Sequence, residues 1–283
     1  MTDRLGRADL HVHTRASDGI SSVGEILEHI ALLDDLDVVA ITDHERIDAA
    51  LAARSMAADL GLRTVIVVGE EVTTRGGHVL ALFIEQPIRP LMWLGDTIAA
   101  IHDQGGLAIP AHPLAPYPLC AQARPLRGLL AHADTRRRPD GLETFNPTLL
   151  GRLGHSRATA FAREHGLAAV GNSDAHAADQ IGAGHTTFRG RSAEELRVAI
   201  LAAETHAHGS FHGTGSQLST FAGQLRKYGR DAREEVGARV LRRGTGRDLG
   251  YPGGQLRPPR YDEPPGAASA GRGGDEQRGD ETP

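Results

Sequence analysis

The chain carries one cysteine, Cys120, in 283 residues. No internal disulfide can form, which excludes a disulfide-stapled secreted fold and fits a reducing cytosol. No apolar run approaches the roughly 18 residues needed to span a bilayer, so no membrane partner is expected. The first ten residues include Asp3, Arg4, Arg7 and Asp9 and hold no apolar signal-peptide core, so a cytoplasmic protein is expected. A strong excess of one charge is also missing: 31 basic and 36 acidic side chains leave a net charge of −5. That mild acidity argues against a nucleic-acid backbone as the main partner but leaves small phosphorylated substrates open. Aromatics are scarce, with one tryptophan and four tyrosines, whereas histidine is abundant at fifteen residues. Histidine is rarely needed for packing and is the commonest metal ligand and proton-transfer group near neutral pH. The question is whether these fifteen are organised.

With 40% apolar and 24% charged residues the chain can build a sizeable core. Its length allows two domains, or one α/β barrel with appendages. Short β-branched runs predict strands over 8–13, 37–42, 64–69, 78–84, 105–111, 141–145 and 167–171. Helical spacing predicts helices over 22–33, 45–60, 93–103, 152–165 and 192–203. Ser22 and Ser192 sit at the N-cap positions, and Glu195 completes a capping box. Gly61, Gly105 and Gly166 sit where helices would end. This alternation argues for parallel strands with helices outside, and six or seven units suit a barrel as well as an open sheet. Residues 123–140, with Pro125, Pro139 and the Arg136–Arg138 run, read as a loop over one mouth of the fold. A further helical stretch over 217–242 has an apolar stripe from Leu218 to Val240. From Gly244 to Pro283, sixteen of forty residues are Gly or Pro, and this tail is expected to be disordered. The organisation is therefore an α/β unit over 1–210, a helical extension over 211–243 and a tail over 244–283.

Chemistry gathers at the strand ends. The first delivers His11-Val12-His13, whose two imidazoles share a face because strand residues two apart point the same way. The second ends in Thr42-Asp43-His44, the third in Gly69-Glu70-Glu71. His78 begins the fourth, Ala111-His112-Pro113 ends the fifth, and Asp174-Ala175-His176 follows the last. In parallel α/β folds the C-terminal strand ends are where ligands and catalytic groups meet. So many imidazoles and carboxylates in one mouth would be costly unless cations neutralise them. Mixed nitrogen and oxygen donors suit zinc, manganese or iron, whereas calcium and magnesium prefer oxygen alone. The donors exceed one tetrahedral shell, so two or three divalent ions are expected.

These pieces, in this order, resemble the polymerase and histidinol phosphatase (PHP) family: His11-Val12-His13-Thr14 with Ser17-Asp18-Gly19, Ile41-Thr42-Asp43-His44, Gly69-Glu70-Glu71-Val72, Ala111-His112-Pro113 and Ser173-Asp174-Ala175-His176. The resemblance spans residues 8–188. It implies an α/β fold, a distorted seven-stranded β/α barrel of TIM-like type, with a trinuclear metal centre that hydrolyses phosphoesters. Carried over by position, His11, His13, Glu71 and Asp174 would hold one metal. Glu71 would bridge to a second, held with His78 and His112. Asp18, His44 and His176 would hold a third. Glu71 is chosen over Glu70 because the family pattern is Gly-x-Glu and Glu70 lies on the other strand face.

Plainer readings stand beside these. His78 alone could be an ordinary strand histidine, and Asp18 beside Gly19 could be a turn aspartate; ligation is preferred for both. His206, His208 and His212 lack nearby carboxylates and read as a solvated loop. His29, His102, His132, His155, His165 and His185 read as surface residues, and the Arg136–Arg138 run as solvated. The expected activity is hydrolysis of a small phosphomonoester, with His44 or Asp43 protonating the leaving alkoxide. Ser-Asp-Gly in the first motif resembles the branch acting on nucleotides or trimming RNA ends, which makes a 3′-phosphonucleotide or a short RNA the alternative substrate; stable duplex binding is not expected. A non-catalytic metal-bound module serving a protein partner is the third reading.

Overall fold

The computed structural model describes residues 5–211 and residue 222. The helix expected over 217–242, apart from Ala222, and the tail expected from residue 244 lie outside the described residues, as does His212. The strands are β1 (Gly6–Val12), β2 (Val38–Ile41), β3 (Val65–Thr74), β4 (Gly77–Leu82), β5 (Leu107–Pro110), β6 (Gly141–Phe145), β7 (Ala168–Gly171), β8 (Gly184–Phe188) and β9 (His206–Gly209). The helices are α1 (Val23–Leu33), α2 (Asp48–Asp59), α3 (Leu94–Asp103), α4 (Ala123–Leu130), α5 (Leu149–His165) and α6 (Ala193–Leu201). Among the described residues no helix is long and apolar enough to cross a membrane.

Seven strands form one curled sheet in the order β5-β4-β3-β2-β1-β8-β9, and β6 and β7 form a second, parallel pair. The second pair reaches towards both ends of the β5-to-β1 run. The Asp140 N–H donates to the Ala108 carbonyl of β5 at 3.0 Å. Ala175, four residues beyond β7, donates its N–H to the His11 carbonyl at 3.2 Å and accepts the His13 N–H at 2.8 Å. β1, β2 and β3 run parallel, as the alternation of strands and helices predicts. β4 runs antiparallel to both β3 and β5, because only Arg75 and Gly76 join it to β3. A parallel crossover needs a dozen or more residues, so a turn this short dictates a hairpin. Gly77, at φ 122°, has no room for a Cβ, which would lie 2.3 Å from the Ala121 nitrogen.

Two apolar clusters lie on opposite faces of the sheet. Ala8, Leu10, Val38, Ala40, Val67, Leu80, Leu82, Ile109, Ala168 and Val170 pack inside the curl. Val12, Val39, Ile41, Ile66, Val68 and Val72 pack with α1, α2 and α3. In β1 the alternation breaks: Ala8 and Asp9 align with Val38 and Val39, but Val12 aligns with Ile41, so β1 carries one extra residue. A one-residue slip exchanges the two faces of a strand. Ala8 and Leu10 therefore point inside, and the slip keeps His11 and His13 on that same inner side while Val12 joins the helix-side core. Without it both imidazoles would face the helices.

Local signals set most helix boundaries. Ser22 and Ser192 cap α1 and α6 through complete capping boxes with Glu25 and Glu195. Gly166 ends α5 at φ 65°. Three expectations are corrected. Residues 123–140 are not all loop: α4 buries Leu126, and Pro125 sits in its first turn, where a missing N–H costs little. His206 and His208 lie in β9, paired to β8, and not in a loop. His185 lies in β8 with its ring stacked on His208 at 5.6 Å.

Candidate metal centre

All nine residues expected as metal ligands converge at one mouth, most of them at or just beyond strand ends, with Glu71 inside β3, which runs on to Thr74. Within four groups the potential donor atoms lie no more than 4.8 Å apart: His11–His13–Asp174, His13–His44–Glu71, His13–Asp18–His176 and Glu71–His78–His112. The strand alternation explains their direction. Glu71 follows Val67 and Gly69 on the inner face of β3, and His78 precedes Leu80 and Leu82 on the inner face of β4. Glu70 points the other way and accepts the Ile88 N–H at 2.8 Å, outside the cluster.

Glu71 is the centre of the arrangement. Its Oε2 lies 3.1 Å from His11 Nε2, 3.2 Å from His13 Nε2 and 3.4 Å from His44 Nε2. Its Oε1 lies 2.8 Å from His78 Nδ1 and 3.1 Å from His112 Nε2. Each oxygen therefore faces a separate set of imidazoles. Asp174 Oδ1 stands 3.4 Å from both His11 Nε2 and His13 Nε2. On the outer side, Asp18 Oδ2 lies 2.9 Å from His176 Nε2 and 3.8 Å from His44 Nε2, and Asp18 Oδ1 lies 3.3 Å from His13 Nδ1. His44 is thus nearer to Glu71 than to Asp18, and His13 takes part in three of the four groups.

The charges in this cluster depend on one another. Burial alone would neutralise them, yet His11 and the other imidazoles hold the Asp174 carboxyl well below the usual carboxylate range. His44, His11 and His78 do the same for Glu71. Burial pushes the His13 imidazole down, but Asp18, Asp174 and Glu71 outweigh it and hold it up to about 10. His11 and His112 are also held well above the ordinary imidazole value, against the effect of burial. The carboxylates demand positive charge, which protons or cations can supply. The hydrogen bonding favours cations. Both nitrogens of His13 and Nδ1 of His78 are buried without a hydrogen-bond partner, although carboxylate oxygens lie within 3.3 Å of each. These atoms approach one another without the alignment of hydrogen bonds, as donors converging on ions do. The residues present fit divalent metals.

Two residues of the cluster have strained backbones: His112 at φ 31° and Asp174 at φ 50°, in the region that favours glycine. Asp43, expected as a general acid, is placed differently. Its Oδ1 accepts the Thr14 N–H at 2.8 Å, its Oδ2 accepts the Thr14 hydroxyl at 2.7 Å, and the Ser17 hydroxyl also donates to Oδ1. With three donors on a carboxylate that is 1% exposed, Asp43 holds the loop that carries Asp18. The Arg136 and Arg137 side chains pair with Asp103, Asp134 and Asp96 on the surface. Sequence reading missed three polar residues behind the candidate ligands. Glu143 lies on β6, with its Oε1 2.9 Å from His11 Nδ1. Asn146 donates to Asp174 Oδ2 at 3.1 Å. Cys120 places its Sγ 3.4 Å from His112 Nδ1. The available signal was a lone carboxylate in the buried strand Gly-Leu-Glu-Thr-Phe.

Comparison with known proteins agrees with the motifs. A family model described as PHP-associated matches residues 153–205. An uncharacterized protein of Methanocaldococcus jannaschii is 32% identical over 151 residues, covering 50% of this chain and 81% of that protein. A 5′-3′ exoribonuclease of Haemophilus influenzae is 35% identical over 78 residues, covering 26% of this chain and 27% of the enzyme. Among solved structures, a two-domain protein from Bacteroides vulgatus containing a predicted PHP-like metal-dependent phosphoesterase superposes with a TM-score of 0.60. It is 21% identical, with 78% of this chain and 70% of that one covered, and so shows likeness of fold. With its ordered motifs and this fold, the chain belongs to the PHP family.

Proposed function

We propose that the protein is a metal-dependent phosphoesterase acting on a small phosphomonoester, a phosphorylated metabolite or a nucleotide. The observation that carries this reading is Glu71, whose two oxygens face different imidazole sets at 2.8–3.4 Å, the arrangement of a carboxylate shared between two cations. His11, His13, Glu71 and Asp174 would hold one ion, Glu71, His78 and His112 a second, and Asp18, His44 and His176 a third, drawn from manganese, zinc or iron. When bound, such ions lower the pKa of water and offset charge on phosphoryl oxygens. In this reading the strands form a distorted TIM-like β/α barrel, with β1 to β7 following one another round the mouth.

The protein's own residues do the rest. Asp43 fixes the loop from Thr14 to Ser17, and with it the position of Asp18. The His44 side chain is 25% exposed against 0% for His11 and His13, so, where it is not committed to the third ion, it can reach the oxygen of a leaving alcohol and deliver a proton there. A phosphomonoester is favoured over a diester because its second negative charge gains more from a cationic mouth.

A 3′-phosphonucleotide or short RNA is the second substrate reading, without stable duplex binding; likeness to the exoribonuclease over 78 residues supports its RNA side. A non-catalytic module serving a protein partner is the reading these would displace. The test is phosphate release from a panel of phosphorylated metabolites and 3′-phosphorylated nucleotides by manganese- or zinc-loaded full chain. Release abolished by chelator and by His13→Ala supports the proposal. Fully loaded protein that releases no phosphate from any of them overturns it.

A further inference from the structure

β6 supplies no side chain to the four donor groups, yet it carries Glu143, a buried carboxylate that accepts four N–H groups. Its Oε1 faces His11 Nδ1 at 2.9 Å and takes an Asn172 amide hydrogen at 2.9 Å. Its Oε2 takes the backbone N–H of His112 at 2.6 Å and an Asn146 amide hydrogen at 2.9 Å. The same Asn146 nitrogen reaches Asp174 Oδ2 at 3.1 Å. One carboxylate therefore ties together residues at the ends of β1 and β5 and, through Asn146, just after β7.

Each tie settles something the site needs. An imidazole binds a metal through one nitrogen only when its proton sits on the other, and a carboxylate on Nδ1 fixes that choice. Glu143 on His11 Nδ1 leaves Nε2 facing Glu71 and Asp174, at 3.1 and 3.4 Å. His112 and Asp174 both have positive φ, a conformation that must be held by its surroundings. The bond to the His112 N–H and the Asn146 bridge to Asp174 do so. All four partners are donors, so an ionised carboxylate satisfies every one, whereas an amide would set its own NH2 against a donor.

We propose that Glu143 is a positioning residue of the metal centre, orienting His11 directly, His112 through its backbone and Asp174 through Asn146; this rests on the metal reading above. Glu143→Gln in the full chain is the test, read by zinc affinity against a chromophoric chelator and by the His11 Nδ1–H signal in nitrogen-15 NMR of the zinc-loaded protein. The affinity should fall about 10- to 100-fold, and the Nδ1–H signal should move or vanish, while the metal-free variant keeps the wild-type circular dichroism spectrum. Asn146→Ala, which leaves Glu143 in place, should lose affinity at the low end of that range, about tenfold, and serves if Glu143→Gln does not fold. Wild-type affinity with an unmoved His11 signal in Glu143→Gln, or wild-type affinity in Asn146→Ala should the first variant not fold, overturns the positioning role alone. A wild-type protein that takes up no zinc overturns the metal reading on which it stands.

Discussion

His176 Nε2 lies 2.9 Å from Asp18 Oδ2, a contact spanning 158 positions of sequence. It joins the loop after β1 to the segment after β7, the two places where the ends of the cluster meet. The His176 carbonyl accepts the Ile20 N–H from the same loop at 2.7 Å, and its own N–H donates to Gln180 Oε1 at 3.0 Å, which fixes the imidazole's segment. The mouth is thus assembled by contacts between distant segments, and its failures should be local to the ligand removed.

Asp174→Asn is expected to lower metal content and activity together. The substitution keeps the volume and removes an anionic donor 3.4 Å from both His11 and His13. Elemental analysis and turnover on the same sample check it. Full metal content with unchanged turnover would remove Asp174 from the ligand set.

Asp43→Asn separates a loop-holding role from proton donation. An amide nitrogen in place of one oxygen would oppose Thr14 or Ser17, leaving a buried donor unmatched at a cost of about 1–3 kcal/mol. The expected result is a lower melting temperature and a rate reduced at every pH, with the shape of the pH–rate profile unchanged. Loss of the alkaline limb alone would make Asp43 the acid.

How far the sequence could reach is clear from these residues. His11, His13, Glu71, His112, Asp174 and His176 were legible because strand periodicity and motif order place them at one end of the fold. The seven strands expected from the sequence are all present. The extra residue in β1 was not legible, since it shows only in the pairing of Val12 with Ile41. Nor was the role of Glu143, whose partners lie 31 and 132 positions away. β8 and β9 escaped because His185, His206 and His208 interrupt the apolar alternation that marks a strand. α4 escaped because Pro125 and the arginines hid the stripe of Leu126, Leu129 and Leu130.

Metal binding should release protons. Carboxylates hold His11 well above the ordinary imidazole value and His13 up to about 10, and Cys120 together with Glu71 holds His112 well above it, so at pH 7 ligation must displace protons. Apparent affinity is therefore expected to rise with pH up to about 10, where His13 gives up its proton. Calorimetry in two buffers of different ionisation enthalpy checks this, and equal enthalpies in both would contradict it.

Glu70→Gln should stabilise the protein increasingly as pH rises. Burial, with the nearby Glu45 charge adding to it, pushes the Glu70 carboxyl up to about 8 from 4.5. A raised folded pKa means that stability is fully present below 4.5 and is lost progressively as pH climbs to about 8. At about 1.4 kcal/mol per unit, the cost by pH 7 is on the order of 3 kcal/mol. Melting temperatures of variant and wild type should differ little at pH 4.5 and most at pH 8.5. A difference independent of pH would show that Glu70 titrates normally.

The most direct measurement is the number of metal ions per chain, taken by elemental analysis of full-length protein stripped with chelator, reconstituted with manganese or zinc and freed of excess. A centre organised around the two oxygens of Glu71 predicts at least two ions per chain in the wild type, and fewer in Glu71→Gln. Fewer than one ion per reconstituted wild-type chain would contradict it.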